Sequence, residues 1–528
     1  MRRFFYALAL LYIASCCAPR TDIPDIGAGF GCETLHAPWH GLDASTRFTC
    51  HSTADRFFFS FDAVDSTLTL TEPFTNERDV DPEDRVEFFF SPAADLSEPY
   101  YCAEIDPHGR VMDYKAQFYR DFDFGWGYRT LEARGEITPW GYRVAGSVSR
   151  EELASLGIDL DGVFWFGVFQ GDYAADGSVR WFSYVPQDVA SPDFHQSGVF
   201  FPCRMTPRQE SPGVVIYPGD VKTVGIAEWE RRLKLSGIRR IGLHAATVND
   251  PVDSLAAFVQ SPLGQEFLGL CKKLDVDVEY EIHAIESLLP RGLYAEHPEW
   301  FRCGEEGTRV ADYNLCFTNP EVIAAIRPQL EKMLEWMKPT THRYYLWPDD
   351  KEWKYCCCEQ CSAYSPSEQT LIFENRLLAL LREYDPEATL AHLAYHQTLP
   401  APHKVRASEG VFLEFAPILR DYANPLTEEE MTALQENLLA FPAGTQAILE
   451  YWLDASMYAR WKKDTRNEVP FNKDQCRRDI DNYRSFGATE ITTFATWIDG
   501  AYINRFGDTG PLFRSYGESF KQDASSGK

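Results

Sequence analysis

The sequence predicts a multidomain β plus α/β chain, an N-terminal antiparallel β-sandwich followed by a (β/α)8 TIM barrel. Three observations predict it. Short runs rich in β-branched and aromatic residues recur before about residue 205, separated by Pro, Gly, Asp and Asn. Beyond residue 213, apolar strand segments alternate with helical ones, the pattern of βα units on a parallel sheet. Between the two, Pro207 to Pro212 reads as a linker.

The sandwich strands are expected at Arg56 to Phe61, Ser66 to Leu70, Arg85 to Phe90, Tyr100 to Asp106, Tyr142 to Val148 and Val163 to Phe169. Eight barrel strands are expected at Val214 to Tyr217, Arg239 to His244, Val278 to His283, Arg343 to Trp347, Thr389 to Tyr395, Val411 to Phe415, Ala447 to Trp452 and Glu490 to Ala495. Helix starts stand out independently of hydrophobicity. Ser365-Pro366-Ser367-Glu368 places Ser at the N-cap, Pro at the first helical position and Glu at the third, and Thr427-Glu428-Glu429-Glu430 repeats the capping box. Asn319-Pro320-Glu321 opens a helix that Pro328 should kink. Pro400 to Glu409 leaves little room for a fifth crossover helix, and a long insertion follows the third strand. A doubly wound open sheet would usually carry a Gly-rich phosphate turn after an early strand, and the sequence has none. The expected boundaries are 1–20 for a signal and anchor, 21–206 for the sandwich, 207–212 for the linker, 213–510 for the barrel and 511–528 for a tail.

Composition narrows the partners. Asp and Glu outnumber Lys and Arg, 79 to 51, so the net charge of −28 argues against nucleic acid and anionic lipid and favours a neutral polar ligand. Thirteen Trp and 26 Tyr suit surfaces that stack on sugar rings, and equally suit aromatic cores. Arg2 and Arg3 precede an apolar run, Phe4 to Ile13, too short to span a bilayer; this is the pattern of an export signal. Its end, Ile13-Ala14-Ser15-Cys16, resembles a bacterial lipobox, which implies cleavage before Cys16 and a lipid anchor on its sulfur; an ordinary cleavage site is the alternative. The expected setting is an exported lipoprotein, periplasmic or at the cell surface, touching the membrane through that anchor only. Fourteen Cys in an exported chain suggest disulfides, and twelve remain once Cys16 and Cys17 are set aside.

In a parallel barrel the site is built at the carboxyl ends of the strands. Read there, the sequence offers Asp349 and Asp350 after strand four as candidate acids, with Glu414 on strand six and Glu450 on strand seven as candidate second carboxylates. Adjacent residues of an extended chain point apart, so only one Asp faces the pocket; Asp350, further from the strand, is favoured. Asp349 as a loop cap, and Glu414 and Glu450 as buried ion pairs, are the structural alternatives. Candidate substrate-binding residues on the same rim are His244, His283, Glu286, Trp347, Tyr395, His396, Trp452, Asp454, Trp497 and Asp499. Cys356, Cys358 and Cys361 form C-x-C-x-x-C. A zinc site needs four ligands and the fourth is not evident, so the metal expectation is none, with these three as an alternative and a disulfide as another.

Within the first part, Glu83 to Phe89, Tyr101 to Gly109, Phe124-Gly125-Trp126, Trp165-Phe166-Gly167 and Pro192 to His195 resemble the carbohydrate-binding module family nine-like domain. The resemblance implies that Trp126, Trp165 or Trp181 presents a flat ring to a sugar and that Asp84 and Glu87 lie near a calcium ion. Within the second part, Val221 to Ile226, Gly242 to Ala246, Tyr280 to Ala284, His297 to Phe301, Pro339 to Tyr344, Asp349-Asp350 with Tyr355-Cys356 and Cys358 to Cys361, Leu413 to Pro417 and Leu449 to Asp454 resemble an uncharacterised bacterial domain family whose barrel is similar to the catalytic barrel of glycoside hydrolase family twenty. Those enzymes carry an Asp-Glu pair after strand four, the Glu as acid. Here the pair is Asp349-Asp350, one methylene shorter at the second position, which shifts the expectation to another sugar or another acid. The function expected is a glycoside hydrolase acting on a glycan or oligosaccharide, with a non-catalytic surface glycan-binding lipoprotein as the alternative and no cofactor beyond a structural calcium or zinc.

Overall fold

The computed structural model describes residues 23–187, 192–245 and 251–521; Cys16 and the lipobox lie outside them. The chain folds as an antiparallel β-sandwich followed by a closed barrel of eight parallel strands.

One sandwich sheet runs in the order Phe30–Cys32, Thr46–Ser52, Arg56–Val64, Gly141–Ser149, Glu132–Thr138. The second centres on Phe164–Tyr173, with Arg85–Ser91, Tyr100–Ile105 and Val111–Gln117 to one side and Val179–Ser183 to the other. Alternation puts Phe48, Phe57, Phe59 and Phe61 of the first sheet against Phe88, Phe90 and Phe166 of the second, all buried. Each ring withdrawn from water contributes about 1.5–3 kcal/mol, and their mutual contacts make this the sandwich core. Ser66 to Leu70, expected as a strand, is irregular. Carboxylates instead of a neighbouring strand take its amides: Thr67 N donates to Asp65 Oδ1 at 3.0 Å and Thr69 N to Asp84 Oδ2 at 2.5 Å.

The barrel strands, one to eight, are Ser211–Ile216, Arg240–His244, Asp277–His283, Arg343–Trp347, Thr389–Ala394, Val411–Phe415, Ala447–Glu450 and Glu490–Phe494. Period-two alternation sorts their side chains. Val215, Tyr345, Trp347, Leu393, Phe412, Leu449 and Phe494 fill the lumen, while Val214, Ile241, Val278, Leu346, Leu390, Leu413 and Ile448 face the helices. At the amino end the lumen carries charge, Arg240 pairing with Glu490 and, at 3.5 Å, with Glu279. Both expected capping boxes form, Ser365 over Pro366–Leu381 and Thr427 over Glu428–Ala440. The helix expected from Asn319 runs Val322–Trp336 with Pro328 inside it.

Two boundaries differ from the sequence expectation. Strand one begins at Ser211, inside the segment expected as linker. Residues 511–519, expected as tail, belong to the helix Gly510–Ser519, whose Phe513 and Tyr516 are fully buried against Ile226–Ser236. Tyr516 Oη donates to Gly213 O at 2.7 Å, and at Gly517 a Cβ would lie 1.8 Å from Ser236 O, so the helix can seat this closely only with Gly there.

The sandwich packs on turns that enter strands six, seven and eight from their amino ends. Arg143 Nη1 donates to Pro402 O at 3.1 Å, Arg47 Nη1 to Ala407 O at 3.0 Å and Ala443 N to Ser60 Oγ at 3.0 Å; Arg406 pairs with Asp62 at 2.8 Å, and His51 Nε2 meets Gly487 O at 2.7 Å. The sandwich therefore covers the amino end of the barrel, and the carboxyl ends of the strands face the opposite way. Among the described residues no helix is long and apolar enough to cross a membrane.

Candidate functional site at the barrel mouth

The last inward-facing residues of the strands build a floor of rings. Tyr217 stacks on His244 with centroids 5.6 Å apart, and His244 also meets His283, Trp347 and Phe494 at 5.3–5.7 Å. His244 Nδ1 donates to the carbonyl of Glu281 at 2.6 Å. Burial pushes its pKa down to about 3, so the ring is neutral and Nε2 keeps a lone pair able to accept from a hydroxyl. His283 Nδ1 likewise donates to Pro348 O at 2.6 Å.

Glu414, expected as a catalytic carboxylate, lies in this floor instead of on the rim. It is buried in the lumen and accepts from Trp347 Nε1 at 2.8 Å. Burial raises its pKa to about 8, and the neighbouring Glu281 is raised well above the carboxylate range by burial and by the charge of Glu414. Trp347, expected as a substrate-binding residue, is 1% exposed and part of the same floor. Strand parity explains both: Phe412 and Tyr345, two residues earlier, already face the lumen.

After strand four the two Asp residues separate in role. Asp349 is buried and pinned: Oδ1 accepts from Glu286 N at 3.0 Å, and Oδ2 from Asn314 N at 2.6 Å and Arg291 Nη2 at 2.8 Å. Its capacity is spent on holding the loop, which removes it from the acid candidates. Asp350 is solvent-exposed and accepts from Tyr395 Oη at 3.3 Å. It borders a shallow recess of about 30 Å³ shared with His283, Tyr395 and His396.

Strand seven overturns two expectations. Glu450 faces outward, fully buried, between Arg420 Nη1 at 2.6 Å and Tyr483 Oη at 2.5 Å, with Arg420 bridging to Asp479 at 2.7 Å. Trp452 faces the same way, its Nε1 donating to Asp479 at 3.1 Å. Ala447 and Leu449 take the lumen side, so Glu450 and Trp452 go to the helix layer. The carboxylate that strand seven brings to the mouth is Asp454. Its Oδ1 accepts from Ser456 N, Ser456 Oγ, Met457 N and Thr496 Oγ1 at 2.5–3.2 Å, and burial raises its pKa. Asp454 and Asp350 act on the same phenols: after burial, Asp454 followed by Asp220 and Asp350 push Tyr217 up, and the two carboxylates also contribute to the rise at Tyr395 and Tyr451.

Two exposed indoles complete the rim. Trp353, three residues after Asp350, is 77% exposed, and Trp461, on the segment that follows strand seven, is 60% exposed; both backbones have positive φ, 59° and 54°. Neither was singled out from sequence, where a Trp in a polar loop carries no periodic signal. Trp497 is half-buried under Arg466, and Asp499 caps Gly500–Phe506 and pairs with Arg466, so Asp499 is engaged in structure. Glu286 is exposed beside the Asp349 clamp.

In the sandwich, Trp181 and Tyr173 line a recess of about 350 Å³ together with Arg85, Glu87, Glu104 and Asp193. It opens on the face of the second sheet that points away from the first, and so away from the barrel. Trp126 instead packs between Tyr101 and Tyr128 at 4.9–5.0 Å, and Trp165 packs into the cluster around Phe89, so neither is a platform. Glu87 pairs with Arg85 at 2.9 Å; Asp84 gathers with Asp65 and Asp172, one oxygen of each within 4.8 Å of the others, a donor set that suits a hard cation. All twelve described cysteines are free thiols, which sets aside the expected disulfides among them, and Cys356, Cys358 and Cys361 converge with Cys316.

Residues 267–453, about a third of the chain, match the model of a domain of unknown function, DUF4838. A search of curated proteins finds no match. Among solved structures the chain is similar to a carbohydrate-binding module family 9 from Caldicellulosiruptor kristjanssonii in complex with glucose, at 12% identity over 36% of this chain and 84% of that one, with a TM-score of 0.23. It is similar to a β-galactosidase from the psychrophilic Marinomonas ef1, at 15% identity over 54% of each chain and a TM-score of 0.34, so it spans about half of that enzyme. It is also similar to the tandem GH20 catalytic modules of the pneumococcal exo-β-D-N-acetylglucosaminidase StrH, at 10% identity over 59% of this chain and 82% of that one, with a TM-score of 0.33.

Proposed function

We propose that the barrel mouth binds a neutral glycan across its rim and hydrolyses it, with Asp350 and Asp454 as the carboxyl pair. The observation that carries this reading is that strands four and seven each lead into a mouth carboxylate and a solvent-exposed Trp: Asp350 with Trp353, Asp454 with Trp461. Large exposed indoles are costly on a free surface and stack well on the apolar face of a pyranose. Asp454, buried at the end of strand seven with its pKa raised by that burial, is assigned as the acid facing a glycosidic oxygen, while exposed Asp350, held by Tyr395, serves as base or nucleophile. Neutral His244 accepts from a sugar hydroxyl. Trp181 in the sandwich recess is a second, separate sugar contact, and the separate cluster of Asp65, Asp84 and Asp172 holds a structural calcium.

The test is a hydrolysis screen of the full chain on neutral oligosaccharides, read as new reducing ends. Product formation that Asp350→Asn lowers by about 100-fold or more, the scale of a lost acid or base, supports the reading. Glycan binding without product, equal in both proteins, would establish the second reading, a surface glycan receptor. That reading is favoured by one observation: Asp454 Oδ1 is already taken by four donors, as in a carboxylate fixed to orient a ligand.

The N-terminal segment supports export and anchoring through Cys16. Labelling with a fatty-acid analogue in a bacterial host should mark the chain and fail with Cys16→Ser; equal labelling of both would remove the anchor.

A further inference from the structure

Where the strand-four loop meets the insertion after strand three, four thiols gather with no role in the chemistry above. Cys316, in the long insertion after strand three, approaches Cys358 and Cys361 with Sγ–Sγ distances of 3.8 Å each, and with Cys356 the four sulfurs all lie within 4.8 Å of one another. These separations are too long for a disulfide, whose sulfurs lie about 2.05 Å apart. They match the edge of a tetrahedron: with Zn–S bonds of about 2.3 Å, neighbouring sulfurs sit about 3.8 Å apart.

We propose that Cys316, Cys356, Cys358 and Cys361 form a closed tetrathiolate site for one zinc ion. The fourth ligand was not legible in the sequence because Cys316 lies forty residues before Cys356, across a helix and strand four. The surroundings are those of a ligand shell. Cys303 N donates to Cys356 Sγ at 3.2 Å, and Thr318 Oγ1 lies 3.1 Å from Cys361 Sγ. Arg309 Nη1 lies 3.6 Å from Cys356 Sγ and places a positive charge beside sulfurs that become anionic. Gln369 fixes the ligand loop, accepting from Cys356 N and donating to the carbonyls of Cys356 and Cys361. Three of the four cysteines are buried and Cys358 is partly buried, so no open coordination position faces solvent and the site is structural.

The binding step balances as one Zn²⁺ taken up and four thiol protons released, leaving a site of charge −2 that Arg309 partly offsets. The ion ties the insertion to the strand-four loop, on either side of the Asn314 contact that pins Asp349.

The experiment uses the full chain, purified under reducing conditions and loaded with zinc alone or with cobalt(II). One equivalent of zinc per chain is expected, and cobalt should give the sulfur-to-metal charge-transfer band and visible ligand-field bands of a tetrathiolate. Cys316→Ser and Cys356→Ser should each lower metal retention at least tenfold, while exposed Cys357→Ser leaves it unchanged. If a cysteine variant fails to fold, the cobalt spectrum of the unaltered chain still decides: octahedral bands without charge transfer overturn the proposal. So do a zinc content that Cys316→Ser leaves intact and mass-spectrometric disulfides among the four in the chain as isolated.

Discussion

Glu450 and Glu414 are both buried carboxyl groups of the barrel, and what surrounds each sets what it can do. Glu450 is held by Arg420 and Tyr483 on the helix side of strand seven. Glu450→Gln should therefore cost stability, about 3 kcal/mol, at the low end for breaking a buried pair because Asp479 still neutralises Arg420. Chemical denaturation measures it; a change below about 0.5 kcal/mol would place Glu450 outside the ion-pair network. Burial raises the pKa of Glu414 to about 8, as it raises that of Glu450 to about 7, but among the described residues Glu414 has no arginine bonded to it. A carboxyl raised in the folded state binds more protons there than when unfolded, so its stabilising share is complete below the unfolded value of about 4.3 and is lost as pH rises through about 8. Unfolding free energies between about pH 5 and 8 should fall with pH, and Glu414→Gln should make that fall shallower; an unchanged slope would show that Glu414 is ionised throughout.

At the scale of elements, much was legible and the rest failed for a definable reason. All eight barrel strands follow from apolar runs between helical segments, and the Ser365 and Thr427 caps follow from side-chain chemistry local to four residues. Facing was harder. Strand seven is a four-residue strand, Ala447–Glu450, shorter than the run Ala447 to Trp452, and nothing in that run says whether Leu449 or Glu450 takes the lumen; the closed barrel decides it. The result exchanges Glu450 for Asp454 as the mouth carboxylate. Asp349 and Asp350 separated as their alternation suggested, whereas the clamp on Asp349 from Arg291 and Asn314 joins residues 35 to 58 positions away and carries no local signal. Ser66 to Leu70 has strand composition, yet the carboxylates of Asp65 and Asp84 take its amides.

The whole molecule places its two aromatic surfaces apart. The sandwich covers the amino end of the barrel through Arg47, Arg143, Arg406 and His51, while the mouth opens at the other end and the Trp181 recess faces outward from the far sheet. A single short oligosaccharide cannot then engage both. Trp181→Ala should weaken retention on an insoluble glycan about tenfold, equal to about 1.4 kcal/mol, and leave KM for a soluble oligosaccharide unchanged. A matching rise in KM would mean that the sandwich contributes to the mouth itself.

The identity of the second carboxylate is the point on which the functional reading turns. Hydrolysis rates of Asp454→Asn and Glu450→Gln, each compared with the unaltered chain on the best substrate of the screen and at a temperature where all three are folded, measure it most directly. A loss of about 100-fold or more is expected for Asp454→Asn and less than about threefold for Glu450→Gln. Loss of activity in Glu450→Gln with activity retained in Asp454→Asn would contradict the assignment of Asp454.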